Sequence, residues 1–171
     1  MVRPSPFVLR CIAALVVQDE PTAIDVPCGY GRHTRVAIQA GYRVTAIDID
    51  AARIAALDGT LRQDGERDLA QLIVADAANL ERHTLGPFSL AIITDFANLQ
   101  VVEYVASRLL PGGHLIFETF AARGGNWRSL PKAGLTASCL AATCDLLNYK
   151  EKSAGAAFSD VVSVKCLARR R

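Results

Sequence analysis

Residues 24–34 read IDVPCGYGRHT. A short apolar strand, TAIDV (22–26), runs straight into a turn with two glycines one residue apart, Gly29 and Gly31, and a helix opens behind it. Such a turn lets backbone approach a ligand closely, and the first unpaired N–H groups of the helix favour an anionic group there. An acid ending the next strand, Asp48 in RVTAID (43–48), is placed to accept hydrogen bonds from a ribose diol. These two features suit either a nicotinamide dinucleotide or S-adenosylmethionine, because both carry an adenosine.

The flanking sequence alternates strand and helix. Upstream, Ser5-Pro6 predicts an N-cap and first helical position, with Val8, Leu9, Ile12, Leu15 and Val16 at helical spacing until QDEP (18–21). Downstream, Val36, Ala37 and Ala40 continue the helix after the turn and Gly41 stops it. Residues 51–63 predict another helix, QLIVAD (71–76) and FSLAIIT (88–94) two strands, 98–110 a helix, and PGG (111–113) a break before the strand HLIFET (114–119). Residues 121–134 read as a Gly/Pro-rich loop and 135–142 as a short helix. DLLNYK and DVVSVKCL are separated by about ten residues, too few for a helical crossover, so they pair antiparallel. The expectation is a single α/β domain spanning 1–171: a Rossmann-like, seven-stranded, mostly parallel sheet with helices on both faces and an antiparallel last strand.

Four features separate the two cofactor readings. Asp25, just before the turn, repels a pyrophosphate but suits a ligand with a charged amine. Thr34 stands where a dinucleotide fingerprint has its third glycine. A third acid, Asp76 in VADA, is placed to meet an adenine amino group. The carboxy-terminal strand pair replaces the second mononucleotide half that a dinucleotide needs. The sulfonium cofactor is the better fit.

With these motifs in order, DVPCGYG, AIDID, VADA, TDF after the fourth strand and LLPGGHLIFET, the chain resembles the class I S-adenosylmethionine-dependent methyltransferases. CGYGRH followed by GYRVTAIDID, and the later ETFAARGGNWRSLPKAGL and LLNYKEK, are most similar to the small tellurite-resistance-type members. The resemblance implies that Asp25 and the backbone of Pro27, Cys28, Gly29, Tyr30 and Gly31 hold the methionine end. It puts Asp48, with Ile49 beside it, at the ribose, Asp76 and Ala77 at the adenine, and Asp95 and Phe96 near the methyl group. Pro27 departs from the family's usual glycine or alanine. It lacks an N–H, so one backbone donor is missing there.

Methyl transfer from a sulfonium needs alignment and dryness more than it needs acid–base chemistry. A thiolate or a tellurium or selenium oxyanion requires no base; a neutral hydroxyl does. The candidate catalytic residues are His33 and Asp95. Arg32 and Trp127 are the candidate substrate contacts, Arg32 with the helix N-terminus for an anionic acceptor and Trp127 from a loop that closes over substrate. Each has a plainer reading: a histidine bonded to backbone, a surface ion pair, a tryptophan pinning a loop, Asp76 as a helix cap. Cys28 has no basic partner and reads as a small residue against the cofactor.

The net charge of +2 and the absence of a basic stripe argue against nucleic acid, and the Arg169–Arg171 tail reads as a solvated terminus. The five cysteines form no CxxC pair, which suits reduced thiols in a cytoplasmic protein. The apolar run 11–17 is far short of a membrane span. The expected activity is methyl transfer to a small-molecule acceptor. A non-catalytic S-adenosylmethionine binder and a nicotinamide oxidoreductase are the alternatives.

Overall fold

The computed structural model describes residues 3–17, 19–123, 130–155 and 160–171. Its strands are β1 (Thr22–Asp25), β2 (Arg43–Asp48), β3 (Ala70–Val74), β4 (Phe88–Thr94), β5 (Leu109–Ala122), β6 (Cys144–Ser153) and β7 (Val161–Arg170). They form one sheet in the order β3-β2-β1-β4-β5-β7-β6. The first five run parallel, and β7 lies antiparallel between β5 and β6. The order reverses between β1 and β4, and ligands of open α/β sheets bind at such a switch, beyond the carboxyl ends of the strands.

Two apolar layers sandwich the sheet. Helices α1 (Pro6–Ala14), α2 (Arg32–Gln39) and α3 (Ala51–Gln63) pack on one face against Ala23, Ala46, Leu90, Ile92 and Ile116. Helices α4 (Leu99–Ser107) and α5 (Leu135–Ala141) cover the other, against Ile24, Ile47, Ile93 and Phe117. Central strands buried on both faces read as the continuous apolar runs seen in FSLAIIT and HLIFE. Fully buried side chains such as Ile92 and Phe117 each contribute about 1.5–3 kcal/mol of transfer free energy.

Four sequence expectations need correction. The helix expected over 98–110 ends at Ser107, and Leu109 already pairs with Phe88 of β4. The register slips between Leu109 and His114, so Pro111-Gly112-Gly113 is a bulge inside β5, not a break before it. A Cβ at Gly113 would stand 2.9 Å from the Leu110 carbonyl oxygen, which only glycine accommodates. α1 ends at Ala14, so Leu15 and Val16 lie beyond it, and its buried residues are Phe7, Val8, Cys11 and Ile12 while Leu9 is exposed. The third strand stops at Val74 and Asp76 begins a 3₁₀ turn (Ala77–Arg82). Finally, the arginine tail is not merely solvated. Arg170 donates to the carbonyls of Ala106 and Ser107 at the end of α4, and Arg171 to those of Ala141 and Ala142 at the end of α5. Cations at helix C-termini satisfy orphan carbonyls and oppose the dipole.

Among the described residues no helix is long and apolar enough to cross a membrane.

Candidate functional site

The chain leaves β1 at Asp25 and turns through Pro27–Gly31 into α2. Its amide groups tie the turn to β2: Cys28 N–H donates to the Ile47 carbonyl at 2.8 Å, and Gly29 N–H to Asp48 Oδ2 at 2.8 Å. Asp48 Oδ1 accepts from Asp50 N–H at 3.0 Å, so this buried carboxylate fixes both the glycine turn and the entry to α3. Gly29 and Gly31 have φ of +58° and +76°, a region that a side chain makes costly.

The two glycines do different work. A Cβ at Gly31 would meet Leu57 Cδ1 at 2.2 Å, so this glycine lets α3 close against the turn. A Cβ at Gly29 would meet no protein atom within 4 Å, and Gly29 lines an open cavity of about 810 Å³. That volume lies in the usual range for small-molecule sites, roughly 300–1,000 Å³. Around it stand Pro27, Cys28 and Tyr30 of the turn, Arg32 at the start of α2, Asp48, and Thr94 and Asp95 at the end of β4.

One wall was missed from sequence: Arg53, Ala56 and Thr60 of α3. Their spacing of three and four places them on one stripe, with Ile54, Leu57 and Leu61 on the buried side. A stripe of small and polar residues on an amphipathic helix was the available signal. The Arg53 guanidinium lies 5.8 Å from the centre of the exposed Tyr30 ring and pairs with Asp50 at 3.2 Å.

At the mouth, Arg32 Nη2 and Asp95 Oδ2 form an ion pair at 2.6 Å. Asp95 sits at φ +55°, with its N–H donating to the Glu118 carbonyl at 2.9 Å. The two expected site residues therefore hold each other.

Asp25 and His33 stand behind the cavity wall. Asp25 is fully buried, and its Oδ2 accepts from Thr34 Oγ1 at 2.6 Å. Its Oδ1 has no hydrogen-bond partner among the described residues. Burial pushes this carboxyl up to about 7, against the smaller opposing pull of the Thr34 hydrogen bonds. His33 has both ring nitrogens engaged. Ser5 N–H donates to Nε2 at 3.0 Å, so the neutral ring carries its proton on Nδ1, which faces Thr94 Oγ1 at 3.2 Å. Burial, helped by the neighbouring Arg32, lowers its pKa to about 4. A histidine so placed has no lone pair to offer a substrate. Burial likewise raises the Cys28 thiol, so it stays protonated.

Ser5 was overlooked as a site residue. Its hydroxyl donates to Glu118 and accepts from Phe7 N–H, which pins the start of α1 to the second half of β5. Nothing local in the sequence marks a contact between residues 5 and 33.

The remaining expected residues lie outside the lining. Asp76 caps its 3₁₀ turn through Ala78 N–H at 2.9 Å, and Ala77 is buried in the core. Ile49 is exposed next to Asp48, and Phe96 packs against the α4–α5 layer. Trp127 lies outside the described residues.

Comparison with known families decides the assignment. A sequence model described as "Methyltransferase domain" matches residues 23–113, just over half of the chain, from β1 through the bulge of β5. The chain belongs to this methyltransferase family. That membership sets aside the oxidoreductase alternative. No curated protein sequence matches significantly. Solved structures share the fold. Geranyl diphosphate methyltransferase, crystallised with GPP and sinefungin, superposes with a TM-score of 0.80 at 16% identity over 96% of this chain and 76% of its own. Geranyl diphosphate C-methyltransferase from Streptomyces coelicolor A3(2), holding Mg2+, geranyl diphosphate and S-adenosyl-L-homocysteine, gives 0.78 at 15% over 95% and 78%. TehB from Haemophilus influenzae gives 0.77 at 14% over 98% of this chain and 63% of TehB. In this methyltransferase domain the matched segment contains all of the residues described around the glycine-turn cavity.

Proposed function

We propose that this methyltransferase domain binds S-adenosylmethionine in the glycine-turn cavity and transfers its methyl group to a small, soft nucleophile, an oxyanion of tellurium or selenium or a thiol. The observation that carries the cofactor reading is the pair formed by Gly29 and Asp25. Beside Gly29 is a cradle that any Cβ would begin to fill, and beneath it is a buried carboxylate with one unpaired oxygen. A cationic amine is the group that such an oxygen lacks. Cofactor-bound relatives of the same fold support the reading.

Asp25 and the turn would hold the amino-acid end of the cofactor, Asp48 with Ile49 beside it the ribose, and Asp76 and Ala77 the adenine. When bound, it supplies an electrophilic methyl group on a positively charged sulfur. Asp48 is already oriented by two backbone N–H groups, so its carboxylate is pre-organised. Tyr30 and Arg53 cover the outer side and limit water.

The acceptor reading rests on the chemistry of the lining. Cys28 is protonated, His33 is closed off, Asp95 is neutralised by Arg32, and both oxygens of Asp48 accept from the N–H groups of Gly29 and Asp50, so no free base faces the cavity among the described residues. That favours acceptors whose lone pair needs no deprotonation. His33 acts as a positioning residue, holding Thr94 and the start of α1. Arg32, at the N-terminus of α2, serves an anionic acceptor that competes with Asp95 for its guanidinium. Similarity of the CGYGRH and GYRVTAIDID motifs to the tellurite-resistance-type members points the same way.

The test is formation of S-adenosylhomocysteine from S-adenosylmethionine with tellurite, selenite, small thiols and neutral alcohols offered in turn. Turnover with an oxyanion or thiol is expected, and Arg32→Gln raises KM for the oxyanions without raising it for neutral thiols. Turnover only with alcohols contradicts the acceptor assignment.

A further inference from the structure

A second cavity, of about 490 Å³, lies on the face of the sheet that carries α1 and shares none of the lining named for the first. Its floor is Lys150 and Lys152 of β6 with Ser163 and Lys165 of β7. Its wall is one side of α1, including Phe7 and Arg10. Four cations from three elements therefore converge on one concavity.

The sheet register makes this arrangement costly. Lys150 is the direct partner of Lys165, and Lys152 of Ser163, all on the same face. Like charges directly opposite each other on antiparallel strands are destabilising. The intervening acid, Glu151, belongs to the other face, where it accepts from Tyr149 Oη and from Gly134 N–H. Of the four cations, Lys165 has a carboxylate partner, Glu118 at 2.7 Å, and its ammonium also sits 5.6 Å from the Phe7 ring. Among the described residues Arg10, Lys150 and Lys152 have no ion-pair partner. Lysines that merely keep a sheet soluble would be interspersed with acids or spread over a convex surface. Here they surround a pocket of ligand size with a hydroxyl and an aromatic ring at its edge.

We propose that this cleft between α1 and the β6–β7 ribbon binds a small polyanion bearing a phosphate or diphosphate group. Arg10, Lys150 and Lys152 hold the charged oxygens, Ser163, whose hydroxyl donates to the Lys152 carbonyl at 3.3 Å, turns that hydroxyl toward the anion when it binds, and Phe7 with Leu167 receives an apolar body. Bound there, the anion relieves the repulsion between the facing lysines. The site is independent of the methyl acceptor.

Calorimetric titration of the whole chain with inorganic pyrophosphate at constant ionic strength tests it, using wild type, Lys150→Gln/Lys152→Gln and Arg32→Gln. Both lysines are exposed, so the double variant is expected to fold, which far-ultraviolet circular dichroism and its thermal midpoint verify. One saturable site is expected in wild type and in Arg32→Gln, weakened tenfold or more in the double variant. Pyrophosphate should also raise the thermal midpoint of wild type more than that of the double variant. No saturable binding, equal binding by wild type and double variant, or greater loss in Arg32→Gln overturns the proposal.

Discussion

Replacing Asp25 by asparagine keeps the shape of a fully buried side chain and removes its charge. The carboxyl titrates near 7 in the folded chain and near 3.8 when unfolded, so the native state holds its proton more tightly between those values. The sign follows: burial costs nothing below about pH 4, the cost grows as pH rises, and it is complete above pH 7. Roughly three pKa units correspond to about 4 kcal/mol. The asparagine amide keeps the acceptor for Thr34 but leaves an unpaired N–H₂ where Oδ1 stood, which costs about 1–3 kcal/mol. The variant is therefore expected to be more stable than wild type at about pH 8, by roughly 1–3 kcal/mol. Its advantage should shrink by about 2–3 kcal/mol on going to pH 5. Urea denaturation of both proteins across this range measures the difference. Comparing variants matters because His33, held neutral with a pKa near 4, gives an opposite slope common to both proteins. The same variant should bind S-adenosylmethionine at least roughly tenfold more weakly if, as proposed, the Asp25 carboxylate holds the cofactor's amine. A stability difference that is flat with pH, or a variant that loses ground as pH rises, refutes the burial argument.

Gly31→Ala should lose roughly 2–5 kcal/mol in urea denaturation, from a left-handed φ and the collision with Leu57, and less of that loss should appear in a Leu57→Ala background. An equal loss in both backgrounds excludes the steric part. Asp48→Ala should weaken S-adenosylmethionine binding by about 1–3 kcal/mol in calorimetry, and unchanged affinity in a folded variant sinks the ribose assignment. His33 lowers stability as pH falls from about 6.5 toward 4, by about 3 kcal/mol in total, because the unfolded chain takes up the proton first. With His33 held out of proton transfer, the methyl-transfer rate on a substrate that does not itself titrate should show no histidine limb between pH 6 and 8. A limb that disappears in His33→Gln restores it as the base.

The parts of the fold that rest on local periodicity were legible in the sequence. Residues 51–63 and 88–94 form the expected helix and strand, because an Asp50 cap opens the first and Gly86-Pro87 precedes the unbroken apolar run of the second. What escaped depends on partners far along the chain. Leu109 pairs in the sheet because Phe88 is beside it, and the arginine tail is ordered by the ends of two helices. The glycine turn announced the site through residue types that only a close approach requires. His33 carried two readings in the sequence, a base or a histidine bonded to backbone, and with the Ser5 N–H and Thr94 occupying both ring nitrogens the second is the one the structure shows. The α3 wall was hidden by its blandness: Ala56 and Thr60 matter for the space they leave.

The central claim is that the cavity beside Gly29 takes the sulfonium cofactor. Calorimetric titration of the purified chain with S-adenosylmethionine, S-adenosylhomocysteine and NAD in parallel tests it most directly. Micromolar binding of the two sulfur ligands and no response to NAD is the expected result. Failure of both sulfur ligands to bind contradicts the account, and means that the turn reshaped around Pro27 no longer holds the cofactor of its family.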